Sequence, residues 1–136
     1  AEAVGLGFDD LLIVEAGGFD RASGIWAAEQ MLQHTGLTAV AATSDVMALA
    51  LVQAARERGV AVPDRLSVAG FDDIPEAAGA GLTTIRQPLI EKGRQAAQLL
   101  SELLSGPAAR KPRVPRVLLP TELVVRSTTQ APAAAR

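Results

Sequence analysis

The residues able to do chemistry in this chain sit in short clusters, each following an apolar run. Gly17, Gly18, Phe19 and Asp20 follow "LLIV"; Ser44 and Asp45 follow "AVAAT"; Phe71, Asp72 and Asp73 follow "LSVA"; Gln87 follows "TTIR". An aromatic ring, a hydroxyl, carboxylates and an amide are the inventory for a neutral, polyhydroxylated ligand. The ring packs on an apolar C–H face, while donors and acceptors orient the hydroxyls. A carboxylate accepts neighbouring hydroxyl protons through charge-assisted bonds about twice as strong as neutral ones. Each residue also has a structural reading: Asp72 and Asp73 as a strand terminus, Asp45 as a helix cap, Phe19 as core, and Trp26 as packing.

Other chemistries find little support. Cysteine is absent, and His34 is the single histidine, so disulfides, thiol chemistry and a histidine-rich zinc site are excluded. His34 reads as a charge complement near a helix end. "GGFD" and "AGFDD" lack the spacing of a phosphate-binding loop, and no calcium-loop pattern surrounds the paired aspartates. No nucleophile and base stand paired, so neither an enzyme nor a cofactor is expected.

The elements that must position these clusters alternate. Strands are expected at 11 to 14, 39 to 43, 66 to 69 and 83 to 86, with short strands at "VLLP" and "LVVR". Between them lie helical patterns. "IWAAEQMLQH" places Ile25, Ala28 and Leu32 on one face, with Asp20 or Ser23 as cap. A second helix, 46 to 58, is capped by Ser44 or Asp45 and stopped by Gly59. A third begins at Pro88 and carries Leu89, Ala96, Leu100, Leu103 and Leu104 in one stripe up to Gly106. Such alternation predicts α/β architecture with a parallel, doubly wound sheet, whose ligands bind outside the carboxyl ends of the strands. The four clusters therefore converge on one edge. Residues 46 to 52 are apolar all round, which means cover either within the domain or by another subunit.

A chain of 136 residues, 49% hydrophobic and 21% charged, suits one globular domain, and a net charge of −2 exerts no general pull toward nucleic acid or anionic lipid. The basic cluster Arg110, Lys111, Arg113 and Arg116 lies among prolines and reads as a solvated linker. The longest apolar stretch is too short to span a membrane. "AEAVGLGFDD" has no signal-peptide character, and "TTQAPAAAR" reads as a frayed tail.

The run "AVAATSDVMALALVQAARERGVAVPDRLSVAGFDDIPEAAGAGLTTIRQP", followed by "VLLPTELVVRSTT", resembles the effector-binding domain of the lactose-repressor/galactose-repressor (LacI/GalR) family of bacterial transcription regulators. The resemblance extends from about Phe8 to Thr128. It implies a periplasmic-binding-protein-like type I fold, truncated mainly to the C-terminal lobe. It divides the chain into 1–85, the C-terminal lobe without its first strand; 86–120, a crossover helix and strand of the other lobe; 121–128, a return strand; and 129–136, a tail.

The same resemblance implies sugar binding by Phe19, Ser44, Asp72, Gln87 and Leu89, with Asp72 accepting sugar hydroxyls and Phe19 packing on the ligand. It implies a homodimer through Val46, Leu49 and Val52, a cytoplasmic location, and operator binding only through an N-terminal headpiece absent from this sequence. The sequence departs from the family pattern at Ser44, where asparagine is common, and at Gly81, where proline often precedes "LTT". Dimerisation or strand exchange is expected from the unpaired sheet edge and the exposed helix. An exported sugar-binding protein of a transporter shares the fold and is the alternative; a doubly wound enzyme is the weaker one.

Overall fold

The computed structural model describes residues 7, 11–105 and 116–131. Eight elements follow one another: α1 (Arg21–Met31), β1 (Ala39–Ala41), α2 (Asp45–Glu57), β2 (Ser67–Asp72), α3 (Pro75–Ala80), β3 (Thr83–Arg86), α4 (Leu89–Ser105) and β4 (Glu122–Val124). The strands form one sheet in the order β1-β2-β3-β4. β1, β2 and β3 are parallel, joined by α2 and α3, and β4 returns antiparallel on β3. The expected parallel α/β sheet is present, with a mixed edge.

Local chemistry explains the helix limits. α1 starts at Asp20, whose carboxylate accepts the Ser23 N–H at 2.8 Å. α2 starts at Ser44, whose hydroxyl accepts the Met47 N–H at 3.3 Å. α3 was not legible as a helix in the sequence. Pro75 opens it, and Gly81 closes it in the left-handed region at φ 68°, where an added Cβ would lie 2.3 Å from the Ser127 hydroxyl.

The core lies between β2 and the helices. Ala28 of α1, Ala48, Leu51, Val52 and Ala55 of α2, Leu66 and Val68 at β2, Ala77 of α3 and Leu82 before β3 form one buried cluster. Alternation along β2 buries Val68 and Gly70, whereas Ser67, Ala69 and Phe71 on the other face are only half-buried. The apolar α2 is therefore covered largely within the chain: its side chains meet α1, β2 and α3.

Gly70 is the tightest point of this core. A Cβ there would stand 2.2 Å from a carboxylate oxygen of Asp45, 3.0 Å from Leu82 and 3.2 Å from Ala48. Asp45 is fully buried and bridges two elements, accepting the Ile74 N–H at 2.9 Å and the Thr84 hydroxyl at 2.5 Å. It thereby ties the start of α2 to β3 and to the entry of α3. The cap is Ser44, and Asp45 is a buried latch rather than a cap.

Other expectations are corrected. "LLIV" is not a strand: Leu11, Leu12 and Ile13 are exposed, and only Val14 reaches the small apolar gap beside β1. "VLLP" is not a strand either, and "LVVR" contributes only its first two residues to β4. Ile25 is exposed, because α1 buries Gly24 and Ala28 instead. α4 buries no side chain at all, so its leucine stripe faces open space. The supposed tail is pinned at Thr128, whose hydroxyl donates to the Val68 carbonyl at 2.7 Å and accepts the Thr83 N–H at 2.9 Å. The expected stop at Gly106, the linker cluster Arg110, Lys111 and Arg113, the resemblance's start at Phe8, the end of the tail and most of the first ten residues lie outside the described residues.

Candidate functional site

Strand register brings chemistry together at the carboxyl ends of β2 and β3. Asp72 pairs in register with Arg86, and Arg86 with Glu122 on β4, so three charged residues stand abreast. β2 runs on through Asp72, beyond the run expected from its apolar residues. Its end is conformationally unusual: Asp72 has φ 120° and Asp73 φ 58°. Successive positive values at residues other than glycine cost on the order of 1–3 kcal/mol each and persist only when the surroundings impose them.

The surroundings do impose them. One Asp72 oxygen accepts from the Gln87 side-chain amide at 2.7 Å. The Gln87 carbonyl in turn accepts from the Lys92 ammonium at 3.2 Å, which sets the amide's orientation with its NH2 toward Asp72. The second Asp72 oxygen has no partner among the described residues. Asp73, with a side chain 9% exposed, is held on both oxygens: Arg86 Nε donates at 2.6 Å and Arg126 Nη2 at 2.7 Å. Arg126 also donates to the Leu82 carbonyl at 2.7 Å, and Arg86 extends to Glu122 at 2.9 Å.

These bonds hold the Asp73 carboxyl below the usual carboxylate range; the Arg126 hydrogen bond is the larger cause and that of Arg86 the next. Because the folded value is depressed, the stabilisation is fully present above the ordinary value of 3.8 and is lost as pH falls below it. Urea unfolding at pH 7 and pH 3 is expected to show a loss of stability on acidification that is smaller in Asp73→Asn. An equal loss in both proteins would contradict the assignment.

An open depression of about 600 Å³ lies over this edge, lined by Asp72, Asp73, Arg86, Gln87, Leu89 and Arg94 among others. Asp72, Gln87 and Leu89 are thus brought together as expected from the sequence. Phe19, 70% exposed, and Ser44, 6% exposed and engaged as a cap, do not line it. Of the interface candidates, Val52 is taken up by the chain's own core, leaving Val46 and Leu49 half-buried. Arg86 and Arg126 were missed, since neither stands in a cluster after a strand and only the register joins them to Asp73. Among the described residues no group of three or more His, Cys, Asp or Glu side chains comes together to hold a metal ion. The second oxygen of Asp72, beside the Gln87 amide, is an acceptor of the kind that hydroxyl recognition uses.

A profile of the periplasmic binding protein-like domain matches residues 5–129. The chain belongs to the periplasmic binding protein-like domain family. Within this family it is 39% identical over 132 residues to an HTH-type transcriptional regulator of Mycobacterium tuberculosis, covering 96% of this chain and 35% of that protein. To the HTH-type transcriptional regulator DegA of Bacillus subtilis it is 38% identical, covering 94% of this chain and 37% of the relative. The chain thus spans little more than a third of these relatives. Among solved structures, a LacI-family regulator of Sanguibacter keddieii superposes with TM-score 0.78 at 35% identity, over 96% of this chain and 50% of that one. The regulator CelR in complex with cellobiose superposes with TM-score 0.79 at 34% identity, over 93% of this chain and 38% of that one. The resemblance to LacI/GalR regulators read from the sequence agrees with both comparisons.

Proposed function

We propose that this chain is the ligand-sensing part of a LacI-type transcription regulator and that its effector is a sugar or related polyol. The observation that carries the reading is the Asp72–Gln87 pair at the joined ends of β2 and β3. It leaves one carboxylate oxygen free over an open depression. A CelR neighbour is described with cellobiose and an Enterococcus faecium LacI-family neighbour with ribose, which supports a neutral hydroxylated ligand.

α4 (Leu89–Ser105) is assigned to a second lobe, supported by the absence of any buried residue along it, whereas Arg86 stays in the sheet described above. Binding between lobes would alter their closure and the dimer geometry presented to operator DNA, coupling two distinct sites. Dimer contact is assigned to Val46 and Leu49 on α2. The location is assigned as cytoplasmic; no described helix is long and apolar enough to cross a membrane. No catalytic role is assigned, in keeping with relatives that are transcriptional regulators.

Calorimetric titration of the full-length regulator with a panel of neutral mono- and disaccharides tests the reading. Saturable binding of at least one member, unaffected by inorganic phosphate, is expected. A ligand site that takes only phosphate or other anions would overturn it.

A further inference from the structure

The Asp73 clamp sits beside the proposed ligand contact without itself being free to make one. Both of its oxygens are engaged, one by Arg126 and one by Arg86, while its neighbour Asp72 keeps an oxygen open. The clamp is referenced to the frame of the sheet. Arg126 donates from its side chain to the Leu82 carbonyl at 2.7 Å and from its backbone to the Thr83 hydroxyl at 2.9 Å, so its guanidinium is fixed against the start of β3. Arg86 is fixed from the other side by its register between Asp72 and Glu122.

Between these two anchors the chain carries φ 120° at Asp72 and φ 58° at Asp73, values an unrestrained aspartate pair would leave. Relaxing them rotates the Cα–Cβ direction of Asp72, and with it the carboxylate that Gln87 holds. Hydroxyl recognition is directional, and a group displaced by about 1 Å loses much of its effect.

We propose that Asp73, held between Arg86 and Arg126, is a positioning residue that sets the direction of the Asp72 carboxylate and so the affinity for hydroxylated ligands. This rests on the sensing function proposed above for Asp72. It adds that specificity at this edge is set from behind, by Arg126, which lies just beyond β4 and outside the lining of the depression.

The test uses the full-length protein labelled with 15N-glutamine and 13C-aspartate. The Gln87 side-chain amide and the Asp72 carboxyl resonances report their mutual hydrogen bond whether or not a ligand is known. In Asp73→Asn and in Arg126→Lys both resonances are expected to move toward free side-chain values, and affinity for the probe sugars, D-ribose and cellobiose, to fall about tenfold. A purely structural role for Asp73 would lower stability and leave these resonances in place. Unchanged Gln87 and Asp72 resonances in a folded Asp73→Asn protein would overturn the proposal. If that variant does not fold, Arg86→Gln, which removes one of the two holds at a half-exposed side chain, gives the same readout with the same two outcomes. Should no neutral sugar bind the wild type, the sensing function falls, while the resonances still decide whether Asp73 positions Asp72.

Discussion

Asp72→Ala is expected to weaken effector binding by about a hundredfold or more, because truncating one partner of a hydrogen-bonded charged contact typically costs about 2–5 kcal/mol. Alanine removes the free acceptor oxygen and also leaves the Gln87 amide without its 2.7 Å partner, so two elements of the site fail together. The companion change Asp72→Asn separates charge from shape. Asparagine tolerates positive φ nearly as well as aspartate, so the strained end of β2 is retained while the charge-assisted acceptor is lost. Its loss should be smaller than that of alanine. Calorimetry on the full-length protein, with whichever member of the probe panel binds the wild type, reads both values. An Asp72→Ala protein that binds with unchanged affinity would remove this residue from the site.

Gly70→Ala is expected to be the most damaging added methyl group among the described glycines. The new Cβ would stand 2.2 Å from the Asp45 carboxylate, and Leu82 and Ala48 close the space on the other sides. Asp45 is fully buried, so it has no solvent-filled direction in which to retreat. Displacing it breaks its bonds to the Ile74 N–H and the Thr84 hydroxyl, leaving both donors unsatisfied in the core. Overpacking at about 1–3 kcal/mol, together with lost buried hydrogen bonds at about 1–3 kcal/mol, gives a destabilisation on the order of 2–6 kcal/mol. Urea unfolding by circular dichroism measures it. A change below about 1 kcal/mol would mean that Asp45 is not the latch described. The double variant Gly70→Ala with Asp45→Ala should recover part of the loss, since it removes the atom that the new methyl group strikes.

Both expectations concern one short stretch, "VAGFDD", and show how differently its residues could be read in advance. Apolar runs and the prolines and glycines between them were sufficient for β1, β2, β3, α2 and the α/β class. Convergence of Asp72 and Gln87 followed from parallel topology, since consecutive strands in that arrangement end on the same edge, whereas Leu89 was expected there only from the family resemblance.

The failures have identifiable causes. "LLIV" has the composition of a strand, but composition cannot supply a neighbour to pair with. α3 is too short for a periodicity to be seen, and its signal was only Pro75 before and Gly81 after. Asp45 follows Ser44 directly, and both residue types cap helices. Burial decided between them, because only the folded core brings Ile74 and Thr84 within reach of one carboxylate.

By itself, then, the sequence determined the class of fold and the sheet edge on which Asp72 and Gln87 meet. Those follow from residue types and order along the chain, which local propensity and strand direction translate directly into position. Tertiary structure alone decided that Asp73 is held by Arg86 and Arg126 rather than simply ending a strand, that Asp45 is a latch, and that Phe19 and Ser44 stand apart from the Asp72 depression. Each of these depends on contacts between residues far apart in the chain, up to the separation of 53 between Asp73 and Arg126. Strand register and close packing set such contacts, and neither can be read from one residue and its neighbours.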